Sequence, residues 1–446
     1  MSAINRLIAG PFGGVLLHPW YDPVALAAIL KFYLPMSRAW AAASDADGDV
    51  DRFAAGLGAP VRRTSGLAAA VRETARRRHA YLEADRHFSD TAFGATGDVA
   101  RRMHARAMAA DAWMGARSKF LPMVLGARVP AVRRQMETEA DVMRRHGARR
   151  ADSANAFTVA DGAVVTSRAI DGADRVLSWL KFTCRDDAHA GWARVEAPRG
   201  AAAVGTVIFL HGILMEREFF SSLYDYAPPF LDAASGAMRI IQPEGPWHGR
   251  RMMPGWYGGE PLLGNPTGGL LDYFAAHVVE VGRLIAWARE HFGGPVAVAG
   301  VSLGALTSQL VVSAAKHWPA AARPDAALLI TTNESMSDIA FRGSLAGGLG
   351  FPAALKHSGW SEPALDAWRP LLEPTEPAIA PEHIVAVLGN TDAVTPIAGG
   401  ERLVARWGLP AANIFRRPGG HFSAAFSLLR DDGPIARLKR VLTVGA

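Results

Sequence analysis

Apolar and polar positions repeat with two different periods along this chain, and the change falls near residue 150. From about 20 to 150 the apolar residues recur every three to four positions, the period of a helix with one buried face. Residues 24–34 predict a helix ended by Pro35. Residues 66–85 predict a second, with Leu67, Val71 and Leu82 as packing positions and Arg76, Arg77 and Arg78 mostly in solvent. A third is expected from the N-cap Asp98 through Met103, Ala107 and Trp113 toward Leu121, and a fourth opened by Pro130 and reaching His146. Methionines and a tryptophan at this spacing read as core rather than as ligand contacts.

Beyond 150, short apolar runs bounded by Gly, Pro, Asp and Asn take over. They predict strands at 155–165, 176–182, 192–198, 204–210, 238–243, 295–299, 326–332, 382–388 and 413–417. Helices are expected at 273–291 and 305–312. Strands alternating with helices imply a mostly parallel sheet with helices on both faces, and ligands at the carboxyl ends of its strands. About 50 residues separate the strand near Thr332 from the one near Ile384, more than a crossover needs. Within them the stretch 344–352 suggests a hinge, and Trp360, Leu365, Trp368 and Leu371 suggest an apolar face. Residues 335–380 are therefore read as a lid insertion, against an ordinary packed insertion.

The chemistry concentrates at three strand ends. Gly300-Val301-Ser302-Leu303-Gly304 lies between a strand-like and a helix-like segment, the setting of a nucleophile elbow, where small neighbours let a serine occupy a sharp turn. A serine hydroxyl needs a histidine to take its proton and a carboxylate to orient that histidine. Downstream, Asp392 sits in the loop after 382–388, and His421 follows Pro418-Gly419-Gly420 after 413–417. Glu334, after the preceding strand, is a rival for the acid. A fourth part, backbone amides aimed at a developing oxyanion, is expected after the strand 204–210, where His211-Gly212-Ile213-Leu214 follows.

On these residues the chain resembles the α/β-hydrolase superfamily: His-Gly after a buried strand, the Gly-x-Ser-x-Gly elbow, then Asp and Gly-Gly-His in that order. The resemblance covers roughly residues 160 to 446, with Ala305 standing where many relatives carry a further glycine. It implies an α/β-hydrolase fold over 153–446 and a Ser302–His421–Asp392 triad. It also implies an oxyanion hole from the amides of Leu303 and Ile213, with Gly212 as the alternative to Ile213. The segment around Trp247-His248-Gly249 resembles a loop of many relatives, so His211, Gly212, Trp247, His248 and Trp256 are candidate substrate contacts. His248 also reads as a brace for its loop. Arg250 and Arg251 are either structural or an anion site. The N-terminal region 1–152 is left as a cap, an extension or a dimerisation element.

The expected reaction is hydrolysis of a small-molecule carboxylic ester through an acyl-enzyme, with no cofactor and no metal. Acyl transfer, amide hydrolysis and carbon–carbon cleavage share the geometry, and an inactive scaffold is the reading from another class. Composition adds exclusions. The formal net charge of +6 is spread thinly and comes with no recognition motif, so nucleic acid is not an expected partner. One cysteine, Cys184, excludes an internal disulfide and a cysteine-based zinc site. The apolar stretch 7–17 is too short and too broken by Gly and Pro to span a bilayer, so no transmembrane segment is expected. It leaves room for peripheral membrane contact in a chain read as cytoplasmic, and homo-oligomerisation is left open.

Overall fold

The computed structural model describes residues 10, 13–16, 18–160, 162–184, 190–200, 202–215, 225–232 and 236–444. Ten strands form one sheet: β1 (Val164–Thr166), β2 (Ile170–Asp171), β3 (Arg175–Thr183), β4 (Ala190–Pro198), β5 (Thr206–Leu210), β6 (Arg239–Pro243), β7 (Val296–Val301), β8 (Ala326–Ile330), β9 (Ile384–Gly389) and β10 (Ile414–Arg417). Their order is β1-β3-β4-β6-β5-β7-β8-β9-β10, with β2 also paired to β3. From β6 to β10 every pairing is parallel, while β1 to β4 and the β4–β6 junction are antiparallel.

The parallel strands are continuous apolar runs because both faces are covered. Ile208, Leu210, Val298, Leu329 and Ala386 face one core, with Leu271, Val278 and Ile285 of helix Gly268–Phe292 and Leu306 and Leu310 of helix Leu303–Ala314. Their strand neighbours Val207, Phe209, Ala299, Leu328 and Val387 face the other core, with Ile435, Leu438 and Leu442 of helix Gly433–Val444. This is the α/β-hydrolase architecture, a doubly covered and mostly parallel central sheet, joined to an N-terminal helical region. Strand order reverses direction at β5, which has β6 on one side and β7 on the other. The crevice at such a switch point is where ligands bind in sheets of this kind.

The N-terminal helices differ from their predicted bounds. Pro35 does not end the first: helix Tyr21–Ala28 runs through a π turn, Ile29–Tyr33, into helix Leu34–Asp45. In the π turn the Leu34 amide reaches back five residues to the carbonyl of Ile29, so the missing N–H of Pro35 falls where the register has slipped. The second helix is longer than predicted, Ser65–Phe93, capped by Thr64, and Leu82 is 46% exposed. The third is Val99–Gly115, with Asp98 accepting from the Arg101 amide. Pro130 opens no helix; the fourth begins at Glu139 behind a Thr138–Asp141 capping box. The residues before it spend their amides elsewhere, Arg133 on Glu260 Oε1 (2.8 Å) and Gln135 on the Gly264 carbonyl (3.0 Å). The strand expected at 155–165 is reduced to β1.

Within 335–380 the structure has five short helices, two of them, Ser344–Gly348 and Phe351–His357, where the sequence suggests a hinge. Trp360, Leu365, Trp368 and Leu371 are buried, and Trp360 Nε1 donates to the Glu137 carbonyl (2.8 Å). No helix among the described residues is long and apolar enough to cross a membrane. Most of the stretch 7–17 lies outside the described residues.

Candidate active site

Ser302 is the hinge between β7 and helix Leu303–Ala314. Its backbone has φ 55° and ψ −118°, a left-handed conformation costing on the order of 1–3 kcal/mol in a non-glycine residue. The sheet holds it there, since the Ser302 amide donates to the Ile330 carbonyl (2.9 Å) and the Leu306 amide donates to the Ser302 carbonyl (2.9 Å). The flanking glycines are a steric necessity. A Cβ on Gly300 would sit 2.2 Å from the Gly304 carbonyl oxygen, and one on Gly304 would sit 2.1 Å from that of Leu210. Strand and helix therefore pass too close for any side chain at either position.

The elbow aims the Ser302 hydroxyl at His421, whose Nε2 lies 2.9 Å from Oγ. His421 Nδ1 lies 2.8 Å from Asp392 Oδ2. Because a carboxylate only accepts, Nδ1 carries the proton and Nε2 is left to accept from the serine. Ser302 is half-buried, while Asp392 and His421 are buried. A buried carboxylate must be fully bonded, and Asp392 is: Oδ1 accepts the amides of Val394 and Thr395, both at 2.9 Å, and Oδ2 accepts the Thr395 hydroxyl at 2.8 Å. Thr395 Oγ1 is also 3.2 Å from His421 Nδ1 and from the Thr331 carbonyl oxygen. Thr331 itself has φ 51°, a bend at the end of β8 that turns its carbonyl to this cluster.

Glu334 is engaged elsewhere. Arg402 Nε and Arg406 Nε each donate to its carboxylate at 2.9 Å.

The loop after β5 packs on the elbow: a Cβ on Gly212 would lie 3.4 Å from Ser302 Cβ. Leu303 is the first residue of its helix, so its amide has no acceptor within that helix. His211 is partly buried and committed to backbone, Nδ1 facing the Gly212 carbonyl (2.9 Å) and Nε2 accepting from the Gly245 amide (3.1 Å). Burial lowers its pKa to about 4, so the ring is neutral at pH 7. His248 is fully buried, with Nδ1 2.8 Å from the Pro246 carbonyl oxygen, and burial holds its pKa well below the ordinary histidine value. Gly259 closes over it; a Cβ there would meet His248 Nε2 at 2.6 Å and Ile213 Cγ1 at 3.0 Å.

Trp247 is partly buried at φ 59°, its carbonyl accepting the Gly259 amide (3.1 Å). Trp256 is buried with the Arg133 guanidinium 5.1 Å from its ring centre. Arg250 and Arg251 are taken up by ion pairs. Arg250 reaches Asp85 (3.1 Å) and Glu244 (2.5 Å), and Arg251 makes a two-pronged bridge to Glu280 (2.9 and 3.0 Å).

Two neighbours of the candidate site escape the sequence reading. Thr395 had a local signal, because an Asp three residues before a Thr in a turn is a pattern in which the carboxylate bonds the following amides. Asp22 had none, since the groups it holds lie some 400 residues away along the chain, Gly420 at a separation of 398.

An elbow serine, a histidine and a buried carboxylate thus meet at the switch point of a doubly covered sheet with the α/β-hydrolase architecture. No family model matches the chain, and no curated protein matches it. Among solved structures it is similar to a cold-adapted esterase from an Arctic intertidal metagenomic library, at 15% identity over 62% of this chain and 97% of that one, with a TM-score of 0.41. It is also similar to acetyl xylan esterase 1 from Thermoanaerobacterium sp., at 12% identity over 66% of this chain and 95% of that one, TM-score 0.41. An S-formylglutathione hydrolase from Agrobacterium tumefaciens aligns at 11% identity over 61% and 98%, TM-score 0.39.

Proposed function

We propose that the chain is a serine hydrolase that cleaves a carboxylic ester through an acyl-enzyme. The observation that carries this reading is the unbroken hydrogen-bond chain Ser302 Oγ–His421–Asp392, with 2.9 and 2.8 Å links, built on a strained elbow. Strain of this kind persists only where the surrounding structure over-determines it.

In the proposed mechanism the Ser302 oxygen attacks the ester carbonyl while its proton passes to His421 Nε2. Asp392 keeps the ring in the Nδ1–H tautomer and stabilises the imidazolium. The charge that develops on the carbonyl oxygen is met by the amide of Leu303, next to the nucleophile in the chain, and by that of Ile213 or Gly212, in the loop that packs on Ser302. The imidazolium returns its proton to the leaving alkoxide, and the alcohol departs. Water then attacks the acyl-enzyme while one of its protons passes to Nε2; as the acyl–Oγ bond breaks, that proton is returned to Ser302 Oγ and the carboxylic acid departs. His211 and His248 hold the loops beside the site, and burial makes both weak bases, so neither takes up the proton.

The test is a panel of p-nitrophenyl esters of increasing acyl length offered to the wild-type protein and to Ser302→Ala. Turnover of at least one ester, reduced by about 10³-fold or more in the variant, is expected. Equal rates in both proteins would refute the reading.

A further inference from the structure

Asp22 stands on helix Tyr21–Ala28, in the N-terminal region, yet its carboxylate is buried against the histidine loop. Oδ2 accepts the Gly420 amide at 3.0 Å, and Oδ1 accepts the amides of Phe422 at 2.6 Å and Ser423 at 3.3 Å. The Ser423 hydroxyl donates to Oδ2 as well. These groups bracket His421 on both sides, and they are the donors that the first turn of helix His421–Ser427 leaves without intrahelical acceptors. Gly420 is shaped to the contact, since a Cβ there would lie 2.8 Å from Asp22 Cγ.

Residues 418–424 carry no carboxylate of their own. Gly-Gly before His421 gives the loop backbone freedom, which a productive ring position 2.9 Å from Ser302 Oγ does not tolerate. Asparagine, though nearly the same size, keeps one acceptor oxygen but sets an NH2 in place of the other, facing at least one amide that is itself a donor. A carboxylate supplies acceptors alone, and charge-assisted bonds of this type are about twice as strong as neutral ones.

We infer that Asp22 is a positioning residue for His421, so that the N-terminal helix is a working part of the active site. The inference rests on the hydrolase reading for its kinetic consequence and on geometry for the rest. It is tested with full-length Asp22→Asn and Ser423→Ala, each checked for cooperative unfolding. In folded Asp22→Asn, kcat falls by about a hundredfold with KM unchanged, as a small misplacement of a reacting group produces. Fluorophosphonate labelling of Ser302 slows by the same factor. The downfield proton resonance of the His421 Nδ1–H bonded to Asp392 broadens or disappears, a readout independent of turnover.

Ser423→Ala lowers kcat in the wild-type background and adds nothing in Asp22→Asn, because both act through one contact. If Asp22→Asn does not fold, Ser423→Ala decides: reduced kcat at unchanged KM and melting temperature supports the inference, and unchanged kcat overturns it. A folded Asp22→Asn with wild-type kcat and an unchanged resonance also overturns it. Failure of Ser302 to label in the wild type would instead remove the hydrolase reading, with the resonance still deciding whether Asp22 sets the ring.

Discussion

Asp392 and Glu334 show how little a carboxylate's position in the chain says until its partners are known. Both follow sheet strands, and both fit the order of an acid before the histidine. Asp392 is buried, accepts two amides and a hydroxyl, and faces His421 Nδ1. Glu334 lies between two arginines. Asp392→Asn is therefore expected to lower kcat by about 10⁴-fold through the wrong histidine tautomer, while Glu334→Gln leaves turnover close to wild type; steady-state kinetics of the two purified variants decide between the acids. That Ser302, Asp392 and His421 come together was legible because each sits in a short local pattern at a strand end. Thr395 and Asp22 were not, because each is defined by what it touches, and for Asp22 that is a loop at the far end of the sequence.

At the scale of elements, legibility followed the period. β5, β7, β8 and β9 are buried on both faces, so their apolar runs are continuous and stand out between glycines and prolines. The elbow was readable for a related reason: a Cβ on Gly300 or Gly304 would fall 2.2 or 2.1 Å from a backbone oxygen, and such crowding forces a spelling. The N-terminal helices were found as helices but misjudged at their ends. A π turn carried one of them past Pro35, and a capping box delayed another to Glu139.

Several elements meet behind the loop after β5, and no single segment could announce that. Arg38 Nη1, on helix Leu34–Asp45, forms a fully buried ion pair with Glu260 (2.7 Å), and Glu260 also accepts the Tyr257 amide (3.1 Å). One residue earlier, Gly259 lies against His248 and Ile213. The N-terminal region thus touches the surroundings of the site at two places, with Asp22 at the histidine loop and Arg38 at the turn that carries Gly259 and Glu260.

Across the whole molecule, buried polar groups couple the fold to pH. His211 titrates near pH 4 in the folded chain, against about 6.5 when unfolded, because burial disfavours its charged form. Between those values the unfolded state binds more protons, so stability is fully present above about pH 6.5 and is lost as the pH falls toward 4. His211 alone accounts for on the order of 3 kcal/mol of that loss, and His248 adds in the same direction. Glu280 acts lower: burial pushes its pKa up, but Arg251 and His277 outweigh this and hold it at about 2. Denaturant unfolding measured from pH 7 to pH 4 should show a steadily falling midpoint, and His211→Gln should flatten the curve. A midpoint independent of pH over that range would contradict the assignment of a neutral, buried His211.

The central claim is that Ser302 is an activated nucleophile, and covalent labelling tests it most directly. Incubation of the folded wild-type protein with a fluorophosphonate, followed by peptide mapping by mass spectrometry, should place a single adduct on Ser302. Labelling should be abolished in Ser302→Ala and strongly slowed in His421→Ala. A folded protein that takes up no label at Ser302, or that labels equally fast without His421, would contradict the account.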